Sequence, residues 1–176
     1  MCSVFTHPVV PAALAAVFPQ GSISPTLVLL SAACSVIPDL DVIGFKFGIR
    51  YGDMLGHRGL THSIFFATVL AASLALLLPQ SGQGSRLVVF LFLFLSTLSH
   101  AILDAMTDGG LGVAFFAPFH NERYFFPWRP IAISPIGMGF FSERGLEVII
   151  SELRWVWLPS AIVVVLMQVV KQPPLR

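Results

Sequence analysis

The chain has 176 residues, enough for one domain, with 56% hydrophobic and only 11% charged residues and a mean hydropathy of +0.84. Soluble domains carry about 25% charged residues, so this composition excludes an ordinary soluble fold and points to an integral membrane protein. A net charge of +1 with no basic run excludes a nucleic-acid surface, and two cysteines, Cys2 and Cys34, make no disulfide framework.

Residues 1–38 contain no Asp, Glu, Lys or Arg. An apolar stretch runs from Pro8 to Phe18 and a second from Thr26 to Ile37, stopping at Pro38. Each is short of the ~20 residues needed to cross the hydrocarbon core. No basic segment precedes the first, so a cleavable signal peptide is not expected. A polar stretch, residues 39–61, follows, and Thr61 is a candidate N-cap for the apolar helix Ser63–Leu78. After a turn at 80–85, Leu87–Ala105 reads as a membrane helix that ends before Gly109 and Gly110. Residues 111–144 are rich in aromatics and prolines and suit an interfacial loop. A final helix is expected from Gly145, uncharged from Trp155 to Val170. The expected fold is all-α: one polytopic membrane bundle of about five apolar helices, the first two short.

His100 and Asp104 lie one turn apart near the end of the fourth apolar segment, so they share a helix face. Ionisable groups inside a membrane helix are costly and point to function. A nitrogen donor beside an oxygen anion also suits a divalent metal, with zinc the expected ion. Counting spans extends the site. If the chain starts on face X and each apolar segment crosses or turns, then His7, Asp39, Asp41, His57, His62, His100 and Asp104 all fall on X, as do residues 106–145. The turn 80–85 and the C-terminus fall on face Y. His57 and His62 are five apart and cannot share a helix face, so His57 is expected in a loop or cap.

The individual roles follow from local chemistry. Metal ligation is expected of His7, Asp39, His57, His62, His100 and Asp104. Asp39 follows Pro38 at a helix end, where the dipole disfavours an acid and a cation would compensate. Asp41 could be a further ligand, a bridge between ions or a general base. Arg58 could hold an anionic substrate, or pair with Asp39, Asp41 or Asp53. Thr107 is expected to cap. His120, Arg123 and Arg129 read as headgroup contacts, and Trp128, Trp155 and Trp157 as interface anchors. Face X carries Lys46, Arg50, Arg58, Arg123, Arg129 and Arg144, many offset by acids, against Arg86, Lys171 and Arg176 on Y. The expectation is Y cytoplasmic and X periplasmic.

The blocks His7, Pro38-Asp39-x-Asp41, His57-Arg58-Gly59-x-Thr61-His62-Ser63 and His100-x3-Asp104-x2-Thr107-x2-Gly110 resemble the bacterial inner-membrane proteins described as membrane-bound metal-dependent hydrolases, one branch of which is LexA-regulated. The resemblance extends to Phe45-Lys46-Phe47-Gly48, Glu122-Arg123 and residues 149–157. It implies a multi-pass protein of the bacterial inner membrane that hydrolyses its substrate with a bound metal. The His/Asp order also looks like the zinc site of phospholipase C and P1 nuclease, which implies a phosphoester, and a site at the membrane surface suggests a lipid or lipid-linked substrate. The rival reading is a non-enzymatic protein, a metal or ion carrier or a structural subunit, although the apolar Y halves of the helices offer no pathway. A histidine-nucleophile lipid phosphatase is set aside because position 94 is Phe and no Ser-Gly-His block occurs, and no Gly-x-Ser-x-Gly elbow is present.

Overall fold

A computed structural model describes residues 1–79 and 84–172. Among these residues it contains no strand beyond two isolated bridges, Thr107 to Ile131 and Val113 to Tyr124. The α-helices are α1 (Val9–Val17), α2 (Pro25–Cys34), α3 (Ile64–Leu77), α4 (Arg86–Ala105), α5 (Glu143–Glu152) and α6 (Leu158–Val170). One π-helical turn, Leu153–Trp157, joins α5 to α6 in a single 28-residue helix. The result is an all-helical membrane bundle of five apolar rods, the first two α-helices short. By length and composition, Pro25–Phe47, Arg86–Ala105 and Glu143–Val170 can each cross a membrane. Most of the turn expected at 80–85 lies outside the described residues.

The central rod is α4, whose buried face runs from Val89 and Phe92 through Ser96 to His100 and Asp104. Against it packs α3, which buries Ala67, Ala71 and Ala75. Small residues every fourth position bring two helix backbones close, the usual basis of helix association in lipid. Leu27, Cys34, Val89, Phe92 and Leu93 complete that core. Cys34 is therefore the packing residue its position suggests, and Cys2 is buried beside Leu103, Ile131 and Val156. By contrast, α6 has no buried residue and presents Ile162, Val165, Leu166 and Val169 outward, the composition of a lipid-facing helix.

Three helix starts carry serine caps: Ser24, Ser63 and Ser85 accept from Leu27, Phe66 and Val88 N–H. The α3 cap is thus Ser63, not Thr61, whose hydroxyl is drawn off to the Asp41 carboxylate at 2.8 Å. Nor does Pro38 end the second apolar segment. It sits at the start of a 3-10 helix, Ile37–Phe47, a position where proline's missing N–H costs nothing. Asp39 therefore lies in a helix's first turn, where the dipole favours a carboxylate. This reverses the expectation that the dipole disfavours it.

The helix ends gather as span counting requires. At the Y end, Gly84 N–H donates to Ser22 O at 2.8 Å, Lys171 Nζ reaches the last carbonyls of α1, and Arg86 caps the Ala75 and Leu76 carbonyls of α3. At the X end, the start of α1, the 3-10 helix, the turn before α3 and the end of α4 converge. Residues 107–131 fold over that end: Ala114 N–H donates to Arg58 O, Ile64 N–H to Phe115 O and Phe126 N–H to Ala105 O.

Candidate metal centre

On the buried face of α4, His100 and Asp104 are both fully enclosed. His100 donates through Nδ1 to the carbonyl of Ser35 at 2.7 Å, which fixes its tautomer and leaves Nε2 as a bare lone pair. His62 is held similarly, with Nδ1 3.1 Å from Thr61 Oγ1 and 3.2 Å from Asp41 Oδ2. Its Nε2 faces His100 Nε2 at 3.0 Å. Two facing lone pairs repel unless a cation sits between them.

Asp39 stands beside this pair. Its Oδ1 lies 3.4 Å from His100 Nε2 and 3.7 Å from His62 Nε2, and neither of its buried oxygens has a hydrogen-bond partner. Asp104 Oδ2 lies 3.6 Å from His62 Nε2. One donor atom from each of Asp39, His62, His100 and Asp104 lies within 4.8 Å of every other. These separations are long for hydrogen bonds, yet they match the ~3.3 Å edge of a tetrahedron of N and O donors about 2.0–2.1 Å from a divalent ion. The residues fit a metal.

Charge points the same way. Asp39, Asp41 and Asp104 cluster here and only Asp104 is paired with a guanidinium, that of Arg58, so the centre favours further positive charge. Burial alone would lower the proton affinity of His62, but Asp39, Asp41 and Asp104 overcome it and raise the pKa to about 9. Without an ion, a proton on Nε2 separates the two imidazoles and leaves Asp39 unserved. His7 is the opposite case: burial, followed by the neighbouring His100, lowers its pKa to about 3.

A second layer fixes the first. Asp41 accepts from His57 Nδ1 at 2.7 Å, Thr61 Oγ1 at 2.8 Å and Arg58 N–H at 3.1 Å, as well as facing His62. Arg58 donates through Nε to Asp104 Oδ2 at 2.9 Å, through Nη1 to Gly109 O and through Nη2 to Thr107 Oγ1. The other oxygen of Asp104 accepts the Cys2 N–H at 2.7 Å. Gly110, at φ +91°, closes over the guanidinium, where a Cβ would sit 2.8 Å from Arg58 Nη1.

The model of the YdjM inner membrane protein family matches residues 1–174. The chain belongs to that family. It is 39% identical over 161 residues to inner membrane protein YbcI of Escherichia coli (strain K12), covering 91% of this chain and 93% of that protein. No solved structure matches. Family membership and the three candidate spans make this an inner-membrane protein. Neither name carries hydrolysis or the LexA-regulated branch, so the chemistry rests on the site alone.

Of the residues singled out in the sequence, Asp39, His62, His100 and Asp104 meet at the centre, and His7 stacks on His100 with ring centroids 3.6 Å apart. His57 and Asp41 stand one layer out. Asp41, His57 and His62 form a second group of close donor atoms, but Asp41 already holds His57 Nδ1, and His57 Nε2 is buried without a partner. Arg58 pairs with Asp104, not with Asp39, Asp41 or Asp53; Asp53 is taken by the exposed Arg50. Arg123 is not a headgroup contact. It turns inward and donates to the carbonyls of His57, Tyr51 and Asp53, stapling the loop that carries His57. His120 and Arg129 are exposed, and Trp128 packs edge-on against Trp155. Sequence reasoning missed the Ser35 carbonyl and Cys2 amide, which are backbone groups without a side-chain signal. It also missed Glu152, an acid placed at the π turn of a membrane helix, which that position could have flagged.

Proposed function

We propose that the protein is a metal-dependent hydrolase of the inner membrane, acting on an ester or phosphoester of a lipid or lipid-linked substrate. The carrying observation is Asp39: a buried carboxylate with both oxygens unpartnered, beside the Nε2 atoms of His62 and His100, which lie 3.0 Å apart. His62, His100, Asp39 and Asp104 would hold the ion, zinc by its mixed nitrogen and oxygen donors. Such an ion, when bound, polarises an ester or phosphoryl oxygen and makes water acidic. Ser35 and Asp41 lock the two rings in the ligating tautomer, a role that outer groups commonly serve. Arg58 positions Asp104 through Nε, and its other two nitrogens are taken by Gly109 O and Thr107 Oγ1.

The lipid assignment is supported by the surface around the centre. Phe47, Leu55, Phe119 and Met138 are exposed on the segments that cap it, as befits headgroup depth. The periplasmic side is favoured because Arg50, Arg58, Arg123 and Arg144 all have internal or acidic partners, leaving Lys46 and Arg129 as the other basic residues of X. Closure of the centre, with Asp39 7% exposed and the other three ligands enclosed, is the one observation favouring an ion held only for packing.

Metal analysis of detergent-purified protein, combined with hydrolysis of a chromogenic phosphodiester and of labelled phospholipid vesicles, tests the proposal. Wild type should carry metal and hydrolyse one of these in a chelator-sensitive way; Asp39→Asn and His100→Ala should lose both properties. Metal-free wild type would sink the site, and tightly bound metal without hydrolysis would favour the packing reading.

A further inference from the structure

At the Y end, away from the metal centre, a cavity of about 530 Å³ opens where the end of α1 and residues 19–23 meet the last turn of α6. Its size falls within the ~300–1,000 Å³ of small-molecule sites. Lys171 closes an uncharged helical run, so its ammonium lies at headgroup depth. Nζ donates to Ala16 O at 2.6 Å and to Phe18 O. An ammonium has three N–H groups, so one remains. Lys171 lines the cavity together with the side chains of Gln20, Gln168 and Gln172. Gln168 lies three positions before Lys171 and four before Gln172, so the three side chains share one face. The nearby carbonyls are already engaged: Ala16 O and Phe18 O hold Lys171, and Pro19 O accepts the N–H and Oγ of Ser22. The wall therefore offers donors. Its charge has one sign as well. Residues 1–38, 63–103 and 155–176 contain no Asp or Glu, while Arg86, Lys171 and Arg176 belong to this end.

We propose that this cavity binds the phosphate headgroup of an anionic phospholipid. The ammonium of Lys171 and the amides of Gln20 and Gln168 donate to the phosphate oxygens, lysine serving as a point charge for phosphate. Phe18, Ile23 and Met167 line the rest and pack against the glycerol and the first methylenes. Basic pockets between membrane helices suit such headgroups. A zwitterionic headgroup fits less well, because its own ammonium meets Lys171 and finds no carboxylate at this end. The site also has a structural consequence. Helix α6 packs along α1 but buries no residue of its own. A phosphate that engages Gln168 and Lys171 at the end of α6 and Gln20 after α1 fastens this helix to the bundle. The site is independent of any metal at the other end.

The test is lipid binding to delipidated protein in detergent, read by thermal unfolding and by native mass spectrometry. Short-chain phosphatidylglycerol should raise the Tm of wild type and saturate at one lipid per chain. Phosphatidylcholine of the same chain length should do neither. Lys171→Met should weaken phosphatidylglycerol binding about tenfold or more, the scale of one lost contact to a charged group. Lys171 also holds the carbonyls of Ala16 and Phe18, so a second variant leaves those bonds in place. Gln168→Glu sets a carboxylate in the cavity and should lose binding to the same extent. Equal shifts from the two lipids, or unchanged phosphatidylglycerol binding by Gln168→Glu, would overturn the proposal. The same protection from glycerol phosphate alone, at equal concentration, would assign the cavity to a free phosphate and overturn the lipid.

Discussion

Arg58→Met offers a direct test of how charge is balanced in the centre. Arg58 and Asp104 are both fully buried and joined at 2.9 Å, with Gly109 O and Thr107 Oγ1 taking the other two guanidinium nitrogens. Removing one partner of a buried ion pair costs about 3–5 kcal/mol, because the other charge is left without compensation. In a chain of this size that corresponds to a fall in Tm on the order of 10 °C. The site adds a condition. A bound divalent ion also neutralises Asp104, so the loss should be large in chelator and smaller with zinc. Arg58→Lys should fall between, since one ammonium cannot reach all three acceptors in the fixed geometry of a guanidinium. Thermal unfolding of wild type and both variants in detergent, with EDTA and with zinc, measures these values. A chelated Arg58→Met protein within about 1 kcal/mol of wild type, or a gap that widens with zinc, would refute the reasoning.

Two further expectations follow from the same geometry. The folded pKa of His62, about 9, lies above its ordinary 6.5, so its contribution to stability is full below pH 6.5 and is lost as pH rises through 9. Chelated protein should weaken across that window and zinc-loaded protein should not; a flat chelated profile in urea or thermal unfolding would refute it. His7, lowered to about 3, acts in the opposite window, favouring folding above pH 6.5 and losing that contribution toward pH 3. For orientation, Phe47→Cys on the exposed cap should react with an impermeant maleimide in cells whose outer membrane alone is opened. Gln20→Cys should react only after the inner membrane is breached. Cys2 and Cys34 are buried and give little background. The reverse labelling pattern would place the site in the cytoplasm.

The convergence of His7, Asp39, Asp41, His62, His100 and Asp104 was legible because it depends only on how many times the chain turns back. Apolar run lengths decide that, and they are written in composition. Local detail was less legible. Pro38 stops an α-helix but can begin a 3-10 helix, and nothing before it distinguishes the two. Thr61 and Ser63 are both capable caps, and the choice was made by Asp41, 20 residues away, which engages Thr61. The partner of Arg58 was misread for a similar reason: which of several acids it meets depends on a loop with φ +63° at Arg58 itself. Arg123 reads as a surface residue, but three backbone carbonyls of the 51–57 loop turn it inward.

The strongest argument that the central cluster is not mere packing comes from a carboxylate elsewhere in the molecule. Glu152, 2% exposed and without a cation, lies at the start of the π turn. It accepts from the backbone N–H and hydroxyl of Ser3 and from Thr6 Oγ1, and Thr6 Oγ1 in turn accepts from Trp157 Nε1. That is how this fold neutralises an acid used to fasten one segment to another: every lone pair that matters meets a donor. Arg58 does the same for Asp104. Asp39 is just as enclosed by protein, yet no well-aligned hydrogen bond reaches it; the nearest donors or acceptors are His100 Nε2 at 3.4 Å and His62 Nε2 at 3.7 Å. Its neighbours His62 and His100 spend their Nδ1–H groups on outer acceptors and turn their Nε2 atoms toward it. A packing cluster built by the rules seen at Glu152 would have pointed those N–H groups at Asp39. The arrangement calls for positive charge among these atoms, which a proton on His62 supplies in part and a metal ion held by the four donors would supply in full.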